Sequence, residues 1–385
     1  MHPATKRKSL GQYFTTSAAL QDWIYEKVKY KGQPLLEPSV GAGHLLQPFL
    51  RANPAYPIIS YEIDGSIARL PLRPMLDWVV GDFLTAEITD RFPTIIGNPP
   101  YVKRPHKPNL YLDILSRCLD LLTPDGELLM IVPSDFLKLT SAAPLLKRMV
   151  ATGAFTDVWF PHDEGLFAGA AIDVVLFRYQ RGLPQTMVIV NGIPKSLNCS
   201  EGIVTFVGPG VSAASQTIGD LFDVYVGIVS GADGVYRSSI GDTAILTDKD
   251  RVGTFILPRT WPTGSTAIDA RLLEHKAVLL GRKIRRFDES NWWQWGALRN
   301  LDAVTAAAAA VKPCLYVRMM TRSTEVAFPG TVQLFGGGLL CLIPKPAAPT
   351  DILPKALAAI QAARADYVYA GRFKMGHKQV RQIII

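Results

Sequence analysis

Between residues 17 and 180 the hydrophobic positions switch repeatedly between two periods. Short, wholly apolar runs alternate with stretches in which apolar residues recur every three or four positions, the spacing of one helical face. Ser17 is placed to cap a helix over 17–30. A strand at 34–37 runs into Gly41 and Gly43, and a helix over 44–51 follows. Further strands are expected at 58–61, 78–80, 92–96, 127–132, 155–160 and 171–179, with helices at 109–122 and 142–150. Units of this length predict an α/β domain with a mainly parallel, doubly wound sheet. Such sheets bind ligands beyond the carboxyl ends of their strands.

From about Arg181 the alternation breaks. Strands shorten, Gly and Pro become frequent, and 185–210 reads as extra strands or a connector. A second, smaller domain of mixed α+β character begins near Thr217, with the alanine-rich stretch 303–311 read as a buried helix. The expected domains are 1–212 and 217–385, as the length of 385 residues also suggests.

Composition narrows the class. With 48% apolar and 19% charged residues the chain is globular, not disordered. No apolar run reaches the roughly 18 residues of a membrane span. The basic segment 1–10 leads into Gly-Gln-Tyr-Phe instead of an apolar core, so no signal peptide is expected. Cys118, Cys199, Cys314 and Cys341 lie far apart, which predicts free thiols and a cytoplasmic location. Six scattered histidines show no ligand spacing, so no metal site is expected. Residues 1–185 hold 19 Lys/Arg and 18 Asp/Glu, whereas 186–385 hold 22 and 15. Nearly all the excess positive charge is therefore in the second half. That split suits a polyanion held by one domain and chemistry done by the other, and a merely basic soluble surface equally.

Candidate chemistry sits at the strand ends. Glu37 precedes Gly41-Ala42-Gly43, where glycine lets the backbone approach a ligand, although Leu46 stands where a dinucleotide fingerprint has its third glycine. Glu62 follows about 20 residues on, placed for two ribose hydroxyls. Asp82-Phe83 offers a carboxylate to an exocyclic amine and a ring to an adenine face. Three acids at three strand ends, with no phosphate loop, fit S-adenosylmethionine better than NAD or ATP. The strongest signal is Asn98-Pro99-Pro100-Tyr101. Its prolines lock the backbone, so the Asn98 side chain and the Pro99 carbonyl can be aimed together at an amino group, with Tyr101 offering a stacking face.

On these residues the chain resembles the N6-adenine DNA methyltransferases, in the γ arrangement of TaqI-like restriction–modification enzymes. Gly11-Gln12-Tyr13-Phe14-Thr15-Thr16 resembles the family's cofactor-clamping segment, and 36–43 its methionine-binding motif. Tyr61-Glu62-Ile63-Asp64 and Gly81-Asp82-Phe83 resemble its ribose and adenine motifs, and Asn98–Tyr101 its catalytic tetrapeptide. Gly165-Leu166-Phe167 is similar to the segment whose aromatic completes the target-base pocket. His44 departs from the smaller or apolar residue expected after the glycines. The resemblance implies a Rossmann-like class I methyltransferase sheet with a target-recognition domain. S-adenosyl-L-methionine would be held by Thr15, Glu37, Gly41, Glu62, Ile63, Asp82 and Phe83, and a flipped adenine by Asn98, Pro99, Tyr101 and Phe167.

The implied partner is double-stranded DNA, bound by a monomer, with any cognate restriction endonuclease a separate chain. Val226–Asp233 resembles the opening of the family's recognition domain. Across 282–322, eight Lys/Arg and the tryptophans 292, 293 and 295 suit phosphates and unstacked bases, or else a tryptophan core under a basic rim. A second basic, Gly-containing loop lies at 371–378. The competing functions are methylation of RNA or of a protein glutamine, and a non-catalytic DNA-specificity subunit.

Overall fold

The structure, a computed structural model, describes residues 13–71, 77–102, 104, 109–161, 173–200, 202–208, 216–369 and 371–385. The chain divides into two compact units, Met1–Ser212 and Ala213–Ile385.

The first unit is built on a ten-stranded sheet: β1 (Leu35–Glu37), β2 (Ile58–Glu62), β3 (Asp77–Val80), β4 (Phe92–Gly97), β5 (Leu122–Pro133), β6 (Gly153–Trp159), β7 (Val174–Arg181), β8 (Met187–Val190), β9 (Ile193–Ser200) and β10 (Ile203–Val207). Their order is β3-β2-β1-β4-β5-β7-β6-β8-β9-β10. Strands β1 to β5 pair in parallel, and Leu35 sits between Ile58 and Thr94. The chain therefore switches direction across the sheet at β1, which opens a crevice at the carboxyl ends of β1 and β4. Glu37, Glu62 and Gly97 are the last residues of three strands that share this edge.

The sheet is less parallel than the pattern predicts. β7 runs antiparallel to both β5 and β6, β8 pairs in parallel with β6, and β9 and β10 follow as antiparallel neighbours. Short links account for the last strands: a parallel return needs a crossover of about a dozen residues, and those from β7 to β8 and from β8 to β9 are far shorter, whereas β7 is reached from β6 across residues 160–173. Residues 185–210 thus extend this sheet.

Helices follow the expected periodicity. Helix α1 (Ala18–Lys27) buries Leu20 and Ile24 against Leu35, Leu129 and Ile131, the apolar interior of β1 and β5. After the glycines comes a short 3-10 turn, His44–Leu46, before α2 (Gln47–Ala52). Helix α3 (Leu110–Leu121) buries Tyr111, Ile114, Leu115 and Cys118 at helical spacing. Helix α4 is Ala143–Thr152.

In the second unit an antiparallel sheet places Leu339–Pro344 between Phe222–Val226 and Pro313–Arg318, with Ala327–Thr331 at its edge. Helix Ile352–Ala362 covers it through Ile352, Ala356 and Ile360. The alanine-rich helix, Leu301–Ala309, buries only Val304 and Ala307, with Ala308 half-buried beside them, and Ala303, Ala306 and Ala309 face solvent. Alanine forms helix readily without requiring burial, so composition misled where period decides.

Candidate functional site

The carboxyl edge of the sheet holds a cleft of about 930 Å³, open solvent at its mouth included. Among its walls are Thr15, Glu37, Gly41, Glu62, Ile63, Asp82, Phe83 and Asn98, drawn from strands and loops spread over more than eighty residues of sequence.

The glycine turn and Glu62 form one unit. Gly41 has φ of +55°, a conformation open to glycine at little cost, and a Cβ there would meet the Phe14 ring at 3.1 Å. The Gly41 N–H donates to Glu62 Oε2 at 2.9 Å, and the Asp64 N–H donates to Oε1 at 2.8 Å. Each oxygen keeps a further lone pair, which suits a diol. Beside it Ile63 is 61% exposed, an apolar face left open on the cleft wall.

Glu37 is different. It is 1% exposed, its Oε1 accepts only a long 3.3 Å bond from the Ser39 N–H, and its Oε2 has no partner. Burial, reinforced by the nearby Glu62, pushes its pKa well above the ordinary carboxylate range despite the Ser39 hydrogen bond. A buried, orphaned carboxylate oxygen on a cleft wall calls for a cationic donor. An amino acid's α-ammonium meets that need, so the residues fit the methionine end of S-adenosylmethionine.

Asp82 is exposed, and its Oδ1 accepts the Leu84 N–H at 2.9 Å, which leaves Oδ2 for another donor. Phe83 is buried, packs edge-on against Tyr61 with ring centroids 5.6 Å apart, and lies beneath the Arg117 guanidinium. Only part of that ring faces the cleft, so the open apolar wall is chiefly Ile63.

Asn98 follows β4, and both ends of its side chain are hydrogen-bonded. Nδ2 donates to the Tyr13 carbonyl at 2.9 Å and to Thr15 Oγ1 at 3.0 Å. Oδ1 accepts the Tyr101 hydroxyl at 2.6 Å, and that hydroxyl also lies 3.1 Å from the Ile131 carbonyl. Burial keeps the Tyr101 hydroxyl protonated far above the ordinary phenol range. The Tyr101 ring stacks on Tyr13, centroids 5.7 Å apart, and meets Tyr111 edge-on. Pro99 is buried beside them. The sequence anticipated a stacking ring at 101 but not its hydroxyl bond to Asn98. It also placed Thr15 on the cofactor, whereas here Thr15 Oγ1 is a partner of Asn98. A contact across 83 residues leaves no spacing signal. Gly11, Gln12, Lys103, Lys107 and Gly165-Leu166-Phe167 lie outside the described residues.

Known proteins resemble this part of the chain. Residues 74–167 match the family model of the Eco57I restriction-modification methylase. The type II methyltransferase M.HincII of Haemophilus influenzae is 30% identical over 200 residues, 46% of this chain and 38% of that protein. A type II methyltransferase of Thermus thermophilus is 28% identical over 206 residues, 47% of each. The chain thus spans less than half the length of these relatives. Among solved structures, a type I restriction-modification methyltransferase subunit from Streptococcus thermophilus aligns over 47% of each chain, at 17% identity and a TM-score of 0.39.

Proposed function

We propose that this chain is a DNA methyltransferase of a restriction–modification system that methylates adenine at N6. The observation carrying the reading is Asn98: an amide fixed by its own donors, at the end of β4, in a cleft whose other walls suit S-adenosylmethionine. When bound, that cofactor supplies an electrophilic methyl on a sulfonium sulfur, which leaves as a neutral thioether. Glu37 takes its ammonium, Glu62 its ribose hydroxyls, and Asp82 its exocyclic amine, with Ile63 and Phe83 against the ring.

The target nitrogen is a weak nucleophile, because its lone pair is delocalised into the adenine ring. Asn98 Oδ1 and the Pro99 carbonyl accept its two hydrogens and so favour the tetrahedral nitrogen that forms as the methyl arrives. The nitrogen then sheds one proton to solvent, and no side chain needs to form a covalent bond. Paired N6 is hydrogen-bonded in the stack, so the base must turn out of the duplex, at a cost of a few kcal/mol. Tyr101 and Phe167 recover part of that cost by stacking. In this reading residues 1–212 are the catalytic domain and 217–385 the basic domain that holds and reads DNA. A monomer suffices, and a cognate nuclease is a separate chain.

The test is to map methylated bases in DNA from cells expressing the chain, beside cells expressing Asn98→Ala. N6-methyladenine at one sequence context is expected with wild type and none with the variant, whose cofactor affinity by calorimetry stays nearly unchanged. Methyl groups found instead on RNA, on a protein glutamine or on cytosine would refute the adenine assignment.

A further inference from the structure

We propose that Thr15 is a positioning residue for methyl transfer. The Tyr13 carbonyl selects which end of the Asn98 carboxamide serves as the acceptor, and Thr15 holds the amide in the plane that aims Oδ1 at the substrate. This rests on the function proposed for Asn98 above.

A carboxamide has two nearly isosteric ends, one donating and one accepting. An Asn98 turned by 180° would present Nδ2 to the target amine, donor against donor. One contact excludes that orientation, and a second holds the plane of the amide. The Tyr13 carbonyl, 2.9 Å from Nδ2, can only accept, so a flipped Asn98 would set two acceptors against each other. Thr15 Oγ1, 3.0 Å away, takes the second Nδ2 hydrogen. The Tyr101 hydroxyl engages one lone pair of Oδ1, and the other is left for a substrate hydrogen. Thr15 is itself anchored: it is 4% exposed, and its carbonyl accepts the Gln21 Nε2 at 2.7 Å. Gln21 is buried in the first turn of α1, so the helix seats the segment around Thr15 against the end of β4.

The consequence is specific to an amide. An aspartate at position 98 would place an oxygen against the Tyr13 carbonyl, where only a donor fits.

Two variants test the proposal. Thr15→Val keeps the shape and removes the acceptor, and Thr15→Ser keeps the acceptor and removes the methyl. The first readout is free of turnover. In protein labelled with 15N-asparagine, the Asn98 side-chain amide pair is identified by its loss in Asn98→Ala. One proton of that pair should move in Thr15→Val and stay near its wild-type position in Thr15→Ser. The second readout is the single-turnover rate on duplex DNA with saturating cofactor. It should fall about 10–100-fold in Thr15→Val, the size of a small misplacement of a reacting group, and return to within about threefold in Thr15→Ser. Cofactor affinity should hold within about twofold in both, as a Thr15 hydroxyl committed to Asn98 is not its ligand. An unmoved amide pair, or a wild-type rate in Thr15→Val, overturns the proposal. So does a loss confined to cofactor affinity, which would make Thr15 a cofactor contact. Wild-type protein that methylates no DNA would instead overturn the function on which it rests.

Discussion

Glu37 shows how much one residue can carry in opposite directions. Its carboxylate is buried and only weakly hydrogen-bonded, so the folded chain holds its proton well above the ordinary pKa of 4.5. An acid raised in this way favours the fold at low pH, and that contribution is lost as pH rises from 4.5 through the raised value. Above that raised value, the ionised group is a cost to the ligand-free protein. A cationic ligand needs that same charge, so its affinity should fall as pH drops through the raised pKa. Glu37→Gln separates the two effects. Above the raised value the ligand-free variant should melt at a higher temperature than wild type, while S-adenosylmethionine binding weakens by about 2 kcal/mol, roughly thirtyfold. Melting curves with and without cofactor, across pH, measure both. A variant that loses stability and keeps affinity would remove Glu37 from the site.

At the scale of elements, the site depends on a glycine turn whose shape the sheet dictates. Gly41 and Gly32 both have positive φ, +55° and +83°, so alanine strains the backbone at either place by about 1–2 kcal/mol. Their surroundings differ. A Cβ on Gly32 meets nothing within 4 Å, whereas on Gly41 it presses on Phe14 and disturbs the N–H that holds Glu62. Gly41→Ala should lose at least as much stability as Gly32→Ala in urea titrations, and only Gly41→Ala should lose cofactor affinity. Equal affinities would mean that the turn serves the fold alone. The same turn marks the limit of what sequence reveals. Strand ends and their acids are local, so Glu37, Glu62 and Asp82 were readable from period and spacing. The partners of Asn98 come from a segment 83 residues away, and only the folded sheet brings them together. Likewise, nothing in the apolar run of β7 marks it as antiparallel to β5 and β6, and only the folded sheet shows it.

For the whole molecule the net charge of +8 is a poor guide until burial sorts it. Within 282–322, Arg282 and Arg318 are buried, and the other six basic residues are exposed. Arg282 donates to the carbonyls of Leu279, Ser230 and Trp292, at 2.7, 2.7 and 2.5 Å. Trp292 and Trp295 lie in the same core, with Trp295 Nε1 donating to the Ile256 carbonyl, so these tryptophans pack the interior and are not a stacking platform. Arg318 is bound to Asp248 and Glu325. Two arginines in one stretch therefore serve the fold, while Lys283 and Arg286 beside them are free to meet phosphates. Each phosphate neutralised by a side chain releases counterions, so the slope of log affinity against log salt should shrink by about 0.9 for every phosphate that a variant no longer holds. Lys283→Ala and Arg286→Ala should each flatten that slope at an unchanged melting temperature. Arg282→Ala should do the reverse: the Leu279 and Trp292 carbonyls lose this donor and that of Ser230 keeps only the Gly296 N–H, stability falls by about 2 kcal/mol or more, and the slope is preserved in protein that remains folded. Fluorescence anisotropy of a labelled duplex over a range of salt concentrations, paired with thermal melts, distinguishes the two classes. If neutralising Lys283 and Arg286 together left the slope unchanged, this basic stretch would be a solvated surface and DNA would have to be held elsewhere.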